Sequence, residues 1–439
     1  MKEVRSYVTR SVLSTLALSV YILADTLFIA NGVGNLGLTA LNIALPLFNL
    51  LNGLGLLLGM GGATLFSLQA GKNNYFSQLI VTALILGGEF TLLGIFFVNP
   101  IATALGASAA TLDLTVMYLR FILIMAPFFI LNNLVLAFVR NDSNPQLAMM
   151  AMLASSLFNI IFDYIFVFPM DMGMAGAALA TVLSPVLSLA ILSLHRKKPQ
   201  RKLTLSLAIP RLETISRSVQ LGLSSFLTEM STGVSILIFN QVLLSLRGDV
   251  AVAAYGVLAN IVLVGLAMFT GVAQGVQPLI SRAAGRGDQK AVNDYLKFGL
   301  KVSLGLAAIL YTLLIIFKYP ITGFFNSDND PVLTNLAVTG IPIYFLAFFA
   351  SSSNILLSIF FSAVGKAKQA FTIALLRGYL LIIPILLIAS RLAGMTGVWS
   401  SLPITEFLTM AAAYGLLFYY RKQFTIPCPS RSSDSADIN

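Results

Sequence analysis

Asn159 and Asp163 stand four residues apart in QLAMMAMLASSLFNIIFDYIFVFP, residues 146–169, a stretch long and apolar enough to cross a bilayer. That spacing sets the amide and the carboxyl on one face of a helix. An ionisable group at such depth costs about 2.5–3.5 kcal/mol on insertion scales, so a carboxylate kept there marks an ion path or a water-filled cavity. Asp25, in YILADTLFIANG, is a second such group, and Thr181 adds a hydroxyl about two turns into the following apolar run. Two carboxylates, an amide and a hydroxyl are hard oxygen donors, suited to a proton or a small alkali cation. Two carboxylates close together in low dielectric repel when both are charged, so one of them can take and release a proton. The four residues therefore read as a cation-coupling site, provided that the helices carrying them pack together. The competing reading makes Asp163 a structural bridge between helices.

Other polar residues are also deep. Glu229, in SSFLTEMSTG, is the clearest acid of the second half, and Ser353 and Asn354 are candidates to join it. Glu89 and Glu406 have fewer evident partners. Arg377 lies near enough to one end of its run to extend its head group to the membrane edge. Asn133, Asn240 and Gln277 either line a substrate cavity or bond between helices. Gly53, Gly55, Gly59, Gly61 and Gly62 recur at the small-residue spacing that lets helices approach closely. One cysteine, Cys428, and one histidine, His195, leave no metal centre and no Cys-His nucleophile pair. No GxxxxGK[ST] phosphate loop appears, so neither enzyme chemistry nor an intrinsic ATPase is expected.

The elements that position these groups follow from composition. The chain has 439 residues, 57% of them hydrophobic and only 10% charged, with a mean hydropathy of +0.89. Soluble domains carry roughly 25% charged residues. The chain reads as an all-α integral membrane protein of twelve spans, because no long strand-like alternation suggests a barrel. The net charge of +10 sits in short connections between apolar runs, which argues for membrane topology rather than nucleic-acid binding. With the N-terminus inside, all but four of the 27 basic residues fall at or near the inner side, the four being Arg120, Arg247, Lys318 and Arg391. Both termini are then cytoplasmic. The apolar run after Arg10 has no evident cleavage site and reads as a retained first span.

Residues 1–195 and 215–422 form two lobes of six spans, joined by a basic linker over 196–214 and followed by a polar tail over 423–439. The halves resemble each other weakly but recurrently. LTALNIALPLFNLLNGLGLLLGMGGATLFSLQAGKNN from Leu38 aligns with VAAYGVLANIVLVGLAMFTGVAQGVQPLISRAAGRGD from Val252, pairing Gly61 with Gly275 and Gly71 with Gly285. GMAG at Gly173 aligns with GMTG at Gly394. Both members of the first pair run from outside to inside, so the repeat is parallel, with its axis along the membrane normal.

ADTLFI with Asp25, LTALNIALP ending at Pro46, the glycine run to Gly71, FNIIFDYIF with Asn159 and Asp163, GAALAT ending at Thr181, and VAQGVQPLIS ending at Ser281 together resemble the multidrug and toxic compound extrusion (MATE) transporters over about residues 10 to 420. The resemblance implies two six-helix lobes and export of bulky, cationic amphipathic compounds in exchange for H⁺ or Na⁺ by alternating access. It puts the N-lobe cation site on Asp25, Asn159, Asp163 and Thr181, and the C-lobe acidic position on Glu229. It further implies a small drug-like substrate, a monomer, and no cofactor beyond the coupling ion, while short loops and a purely helical plan suggest a multi-pass protein of the plasma (inner) membrane. The sequence departs from the family at Ser353, where some sodium-coupled members have aspartate, and at Arg10, where members thought to bend the first helix have proline. The alternative is a flippase for lipid-linked saccharides of the wider superfamily, from which a cationic cavity is expected.

Overall fold

The computed structural model describes residues 2–69, 74–206, 208–325 and 330–424. Gly71, Cys428 and the tail beyond residue 424 lie outside them.

The described residues are helical nearly throughout, as they must be where lipid offers the backbone no hydrogen-bond partner. The first half holds α1 (Lys2–Gly32), α2 (Asn35–Leu68), α3 (Tyr75–Phe96), the short α4 (Val98–Ala104), α5 (Leu112–Ile124), α6 (Ala126–Asn141), α7 (Pro145–Val167) and α8 (Gly173–Ser193). The second half repeats the plan. It holds α9 (Leu212–Arg247), α10 (Asp249–Gly285), α11 (Gln289–Ile316), the short α12 (Lys318–Phe325), α13 (Pro331–Tyr344), α14 (Ala347–Ala363), α15 (Ala367–Leu375) and α16 (Ile382–Phe424).

The correspondence extends to the irregularities. α5 and α6 form one span bent by 51°, and so do α13 and α14. Gly173, which starts α8, has φ 51°, and the aligned Gly394 breaks α16 at φ 55°. Both lie in the left-handed region that only glycine enters without strain. At Gly394 the chain reverses. A Cβ on Gly397 would overlap the carbonyl of Ala389, eight residues back and about 12 Å away in a continuous helix. Nine stretches are long and apolar enough to cross a membrane, the two bent pairs raise this to eleven, and the reversal within 367–420 supplies the twelfth crossing.

Helix starts are set locally. Asn144 accepts from the Leu147 N–H ahead of Pro145, Asp288 accepts from Ala291, and Asp330 accepts from Val332 and Leu333 ahead of Pro331. Each satisfies amides that a helix N-terminus leaves orphaned.

The lobes meet along α1 with α10 and along α2 with α9. Gly61 of α2 presses on the Ser218 carbonyl of α9, and Gly222 of α9 on that of Leu57, so closely that a Cβ on either would overlap backbone. Gly271 and Gly275 of α10 lie likewise against Val12 and Val8 of α1. The aligned glycines Gly61 and Gly275 thus do equivalent work, each letting the second helix of one lobe meet the first helix of the other.

Side-chain bonds reinforce that end. Arg282 of α10 donates to Glu3, Tyr7 and Ser143; Gln277 donates to Thr64 and accepts from Asn141; Arg140 donates to Gln274 at 2.6 Å. These contacts gather at the end that carries the N-terminus and the linker. The linker lies on the first lobe: buried Asp142 bonds the His195 ring at 2.8 Å and accepts from the amides of Lys202 and Leu203, while Ser77 and Gln78 hold Ser206 and Arg211.

Candidate cation site

Asp25 is carried by α1, Asn159 and Asp163 by α7, and Thr181 by α8, three helices in mutual contact within the first lobe. All four side chains are buried, Asn159 and Asp163 completely. The carboxyls of Asp25 and Asp163 face each other. Neither oxygen of Asp163, neither polar atom of Asn159, one oxygen of Asp25 and the hydroxyl of Thr181 has any hydrogen-bond partner among the described residues. A buried polar group left unpaired costs about 1–3 kcal/mol. Several on neighbouring helices form a set of oxygen donors of the kind that suits a small cation, or a proton shared by the two carboxyls.

Two tyrosines also belong to this pocket and were not singled out from the sequence. Tyr21 lies within electrostatic reach of Asp25, Asp163 and Glu229, and Tyr118 of α5 lies beside Thr181 and close to both aspartates. Tyr21 had a readable signal, being one helical turn before Asp25 on the same face. Tyr118 had none, because only the packing of α5 on α8 brings it in.

The second-lobe candidates do not form one group. Glu229 of α9 is half-buried and turned toward Gly53 of α2, at the junction of the lobes. Asn354 instead donates to the Glu406 carboxylate at 2.7 Å and to the Glu406 backbone carbonyl at 2.8 Å. Ser353 is buried with its hydroxyl unpaired among the described residues. Among those residues no hydrogen bond joins Glu229 to either of them.

The three deep amides expected at a substrate cavity are placed differently. Asn133 donates to Asn52 at 2.9 Å and bridges α6 to α2, and Gln277 belongs to the buried cross-lobe network. Bonding between helices therefore accounts for both. Asn240 is partly exposed on α9 and lies outside the cavity described below.

The reading of Arg377 as reaching for the membrane edge is corrected. A π-helical turn over Leu376–Leu380 carries it inward, and it donates to Glu406 Oε1 from Nη2 at 2.7 Å and from Nε at 3.2 Å. The turn is fitted to its neighbour, since a Cβ on Gly378 would meet Ser231 of α9. Nothing in the local sequence announced this pairing, which joins residues 29 apart across the reversal at Gly394.

The family model MatE matches residues 11–165 and 224–388, one segment in each lobe. The chain belongs to the MatE family. It is 30% identical over 397 residues to the multidrug export protein MepA of Staphylococcus saprophyticus, covering 89% of this chain and 87% of that one. It is equally 30% identical over 400 residues to MepA of Staphylococcus aureus. Among solved structures, it matches an outward-facing multidrug resistance MATE transporter of the MOP superfamily at a TM-score of 0.90 and 20% identity, with 97% of each chain covered. It also matches the MATE multidrug transporter DinF-BH at a TM-score of 0.88 and 25% identity, again over 97% of each chain. This MatE protein is thus a multi-pass membrane protein with the twelve-helix, two-lobe MATE fold.

Proposed function

We propose that the protein is a secondary active exporter of bulky, cationic amphipathic compounds, driven by exchange with H⁺ or Na⁺ through alternating access of its two lobes. The observation that carries this reading is the buried cluster of Asp25, Asn159, Asp163 and Thr181, with its unpaired oxygens. Its two carboxylates balance one or two monovalent charges, which suits a transported cation. The relatives named as multidrug export proteins support the export of drug-like molecules.

Coupling requires that the ion bind the two conformations differently. The lobes here are closed at the end bearing the N-terminus and linker. Ion entry at Asp25 and Asp163 neutralises a costly pair of buried charges and tightens α1 against α7. α1 also carries half of the closed seam, through its contact with α10, so the change in its packing is transmitted to the closed end. In this reading both termini are cytoplasmic, the membrane is the plasma membrane, and the protein acts as a monomer.

The test is retention of a lipophilic fluorescent cation in cells expressing the wild type or Asp163→Asn. Wild-type cells are expected to lose the dye and variant cells to keep it, at equal amounts of folded protein in the membrane. Equal efflux by both removes Asp163 from the mechanism.

A further inference from the structure

Within the second lobe lies a cavity between α9, α10, α13, α14 and the last two spans. Its walls are chemically distinct. Thr228, Ser231, Thr232 and Ser235 present four hydroxyls along one face of α9. Three of these donate to backbone carbonyls of their own helix, Thr228 to Ser224, and Ser231 and Thr232 to Thr228, and keep lone pairs for a ligand. Phe239, one turn beyond Ser235 on the same helix, stacks on Tyr255 of α10 at 4.9 Å and an interplanar angle of 7°, and Tyr344 and Phe348 add further aromatic wall.

Arg377 and Glu406 also line this cavity, and their pairing is lopsided. Both bonds from Arg377, from Nε and Nη2, go to one oxygen of Glu406, while the other oxygen is taken by Asn354. A guanidinium has five N–H donors in a rigid fork. Two are used, so three, two on Nη1 and one on Nη2, have no acceptor among the described residues, on a side chain that lines the cavity and is only 9% exposed. Glu406 has both oxygens engaged and offers little to a cation. A guanidinium edge with spare parallel N–H groups in a place of low dielectric is the complement of a planar carboxylate, which it binds bidentately.

We propose that this cavity is a binding site for aromatic carboxylates, with the ligand's carboxylate on the Nη1 edge of Arg377 and its ring system against Tyr255, Tyr344 and Phe348. It stands on geometry separate from the buried aspartates of the first lobe and does not depend on ion coupling.

The chain carries its own reporter. Its single tryptophan, Trp399, packs edge-on against Tyr344 at 6.2 Å, one residue removed from the cavity. Pyrenebutyrate accepts excitation energy from tryptophan, and pyrenebutyramide is its uncharged counterpart. Both are titrated into the full-length protein in nanodiscs, without any ion gradient, and Trp399 emission is followed. The wild type is expected to show saturable quenching with at least about tenfold preference for the acid, equivalent to about 1.4 kcal/mol. Arg377→Gln strands Glu406 and so risks misfolding. The decisive variant is therefore the neutral pair Arg377→Met/Glu406→Leu, whose unchanged tryptophan spectrum and monodisperse elution report folding. It is expected to bind acid and amide alike. If the wild type shows no preference, if quenching rises without saturation as bilayer partition would give, or if the folded double variant keeps the preference, the proposal is overturned. Each of these results leaves the export reading untouched, because binding is measured apart from transport.

Discussion

Asp163 is fully buried with both oxygens unpaired among the described residues, and it faces the carboxyl of Asp25. Asp163→Asn keeps size and shape and removes the charge. It is expected to lower coupled efflux by at least about tenfold, the effect of about 1.4 kcal/mol, while thermal unfolding of the purified protein shows no loss of stability. Asp25→Asn is expected to behave alike in the same two measurements. A large loss of stability in either would assign that residue a structural role. The N-lobe cluster was legible because each member is a polar group in an otherwise apolar run, and the i, i+4 spacing of Asn159 and Asp163 fixed their common face. The pairing of Arg377 with Glu406 was not legible. It depends on one π turn and on the hairpin at Gly394, two backbone events whose combined effect no local pattern encodes.

At the scale of elements, the paired glycines decide how the lobes meet. Gly222 sits against the Leu57 backbone with no room for a methyl group. Overpacking of this kind typically costs about 1–3 kcal/mol, levied on the closed seam alone in the proposed alternating access, where the seam parts when the lobes rearrange. Gly222→Ala is therefore expected to shift the population away from closure. Spin labels at exposed Arg5 and Arg286, in a Cys428→Ser background, are expected to report a longer distance between α1 and α10 by double electron–electron resonance. An unchanged distance distribution would show that the seam does not govern the conformational balance. The linker is a second element with a checkable anchor. Asp142→Ala removes the acceptor for His195 and for the amides of Lys202 and Leu203, leaving buried donors unpaired at about 1–3 kcal/mol. Trypsin is expected to cut the variant faster between Arg196 and Lys202; equal cleavage rates would mean that the strap is held by other contacts. The repeat that aligned Gly61 with Gly275 and Gly173 with Gly394 was legible because glycine is demanded by close backbone approach in one pair and by left-handed φ in the other. The bends at the middle of the fourth and tenth spans were not read from the sequence, although Pro127 opens α6 at the first break and Pro342 stands just before the second.

The whole molecule combines a closed seam at its basic end, an oxygen-lined pocket in the first lobe and a polar, aromatic cavity in the second. The seam involves α1, which also bears Asp25, so the candidate cation site and the seam share one helix. In the proposed mechanism that shared helix is the physical basis for coupling, and it runs unbroken from Lys2 to Gly32 with Arg10 inside it. Shifts of α1 as a rigid body, rather than a bend at a proline, are the motion that this geometry favours. Composition alone made the membrane fold plain, because a chain with so few charges has no other way to bury its apolar surface. In the same proposal the driving ion is set by the first-lobe cluster, whose carboxylates suit a proton or, together with the amide and hydroxyl oxygens, Na⁺. The measurement that tests the central claim most directly is efflux of a lipophilic fluorescent cation from vesicles containing the purified protein, energised first by a pH gradient alone and then by a Na⁺ gradient alone. Transport by the wild type under one gradient and its loss in Asp163→Asn is the predicted result; movement under neither gradient, or equal movement in the variant, would contradict cation-coupled export.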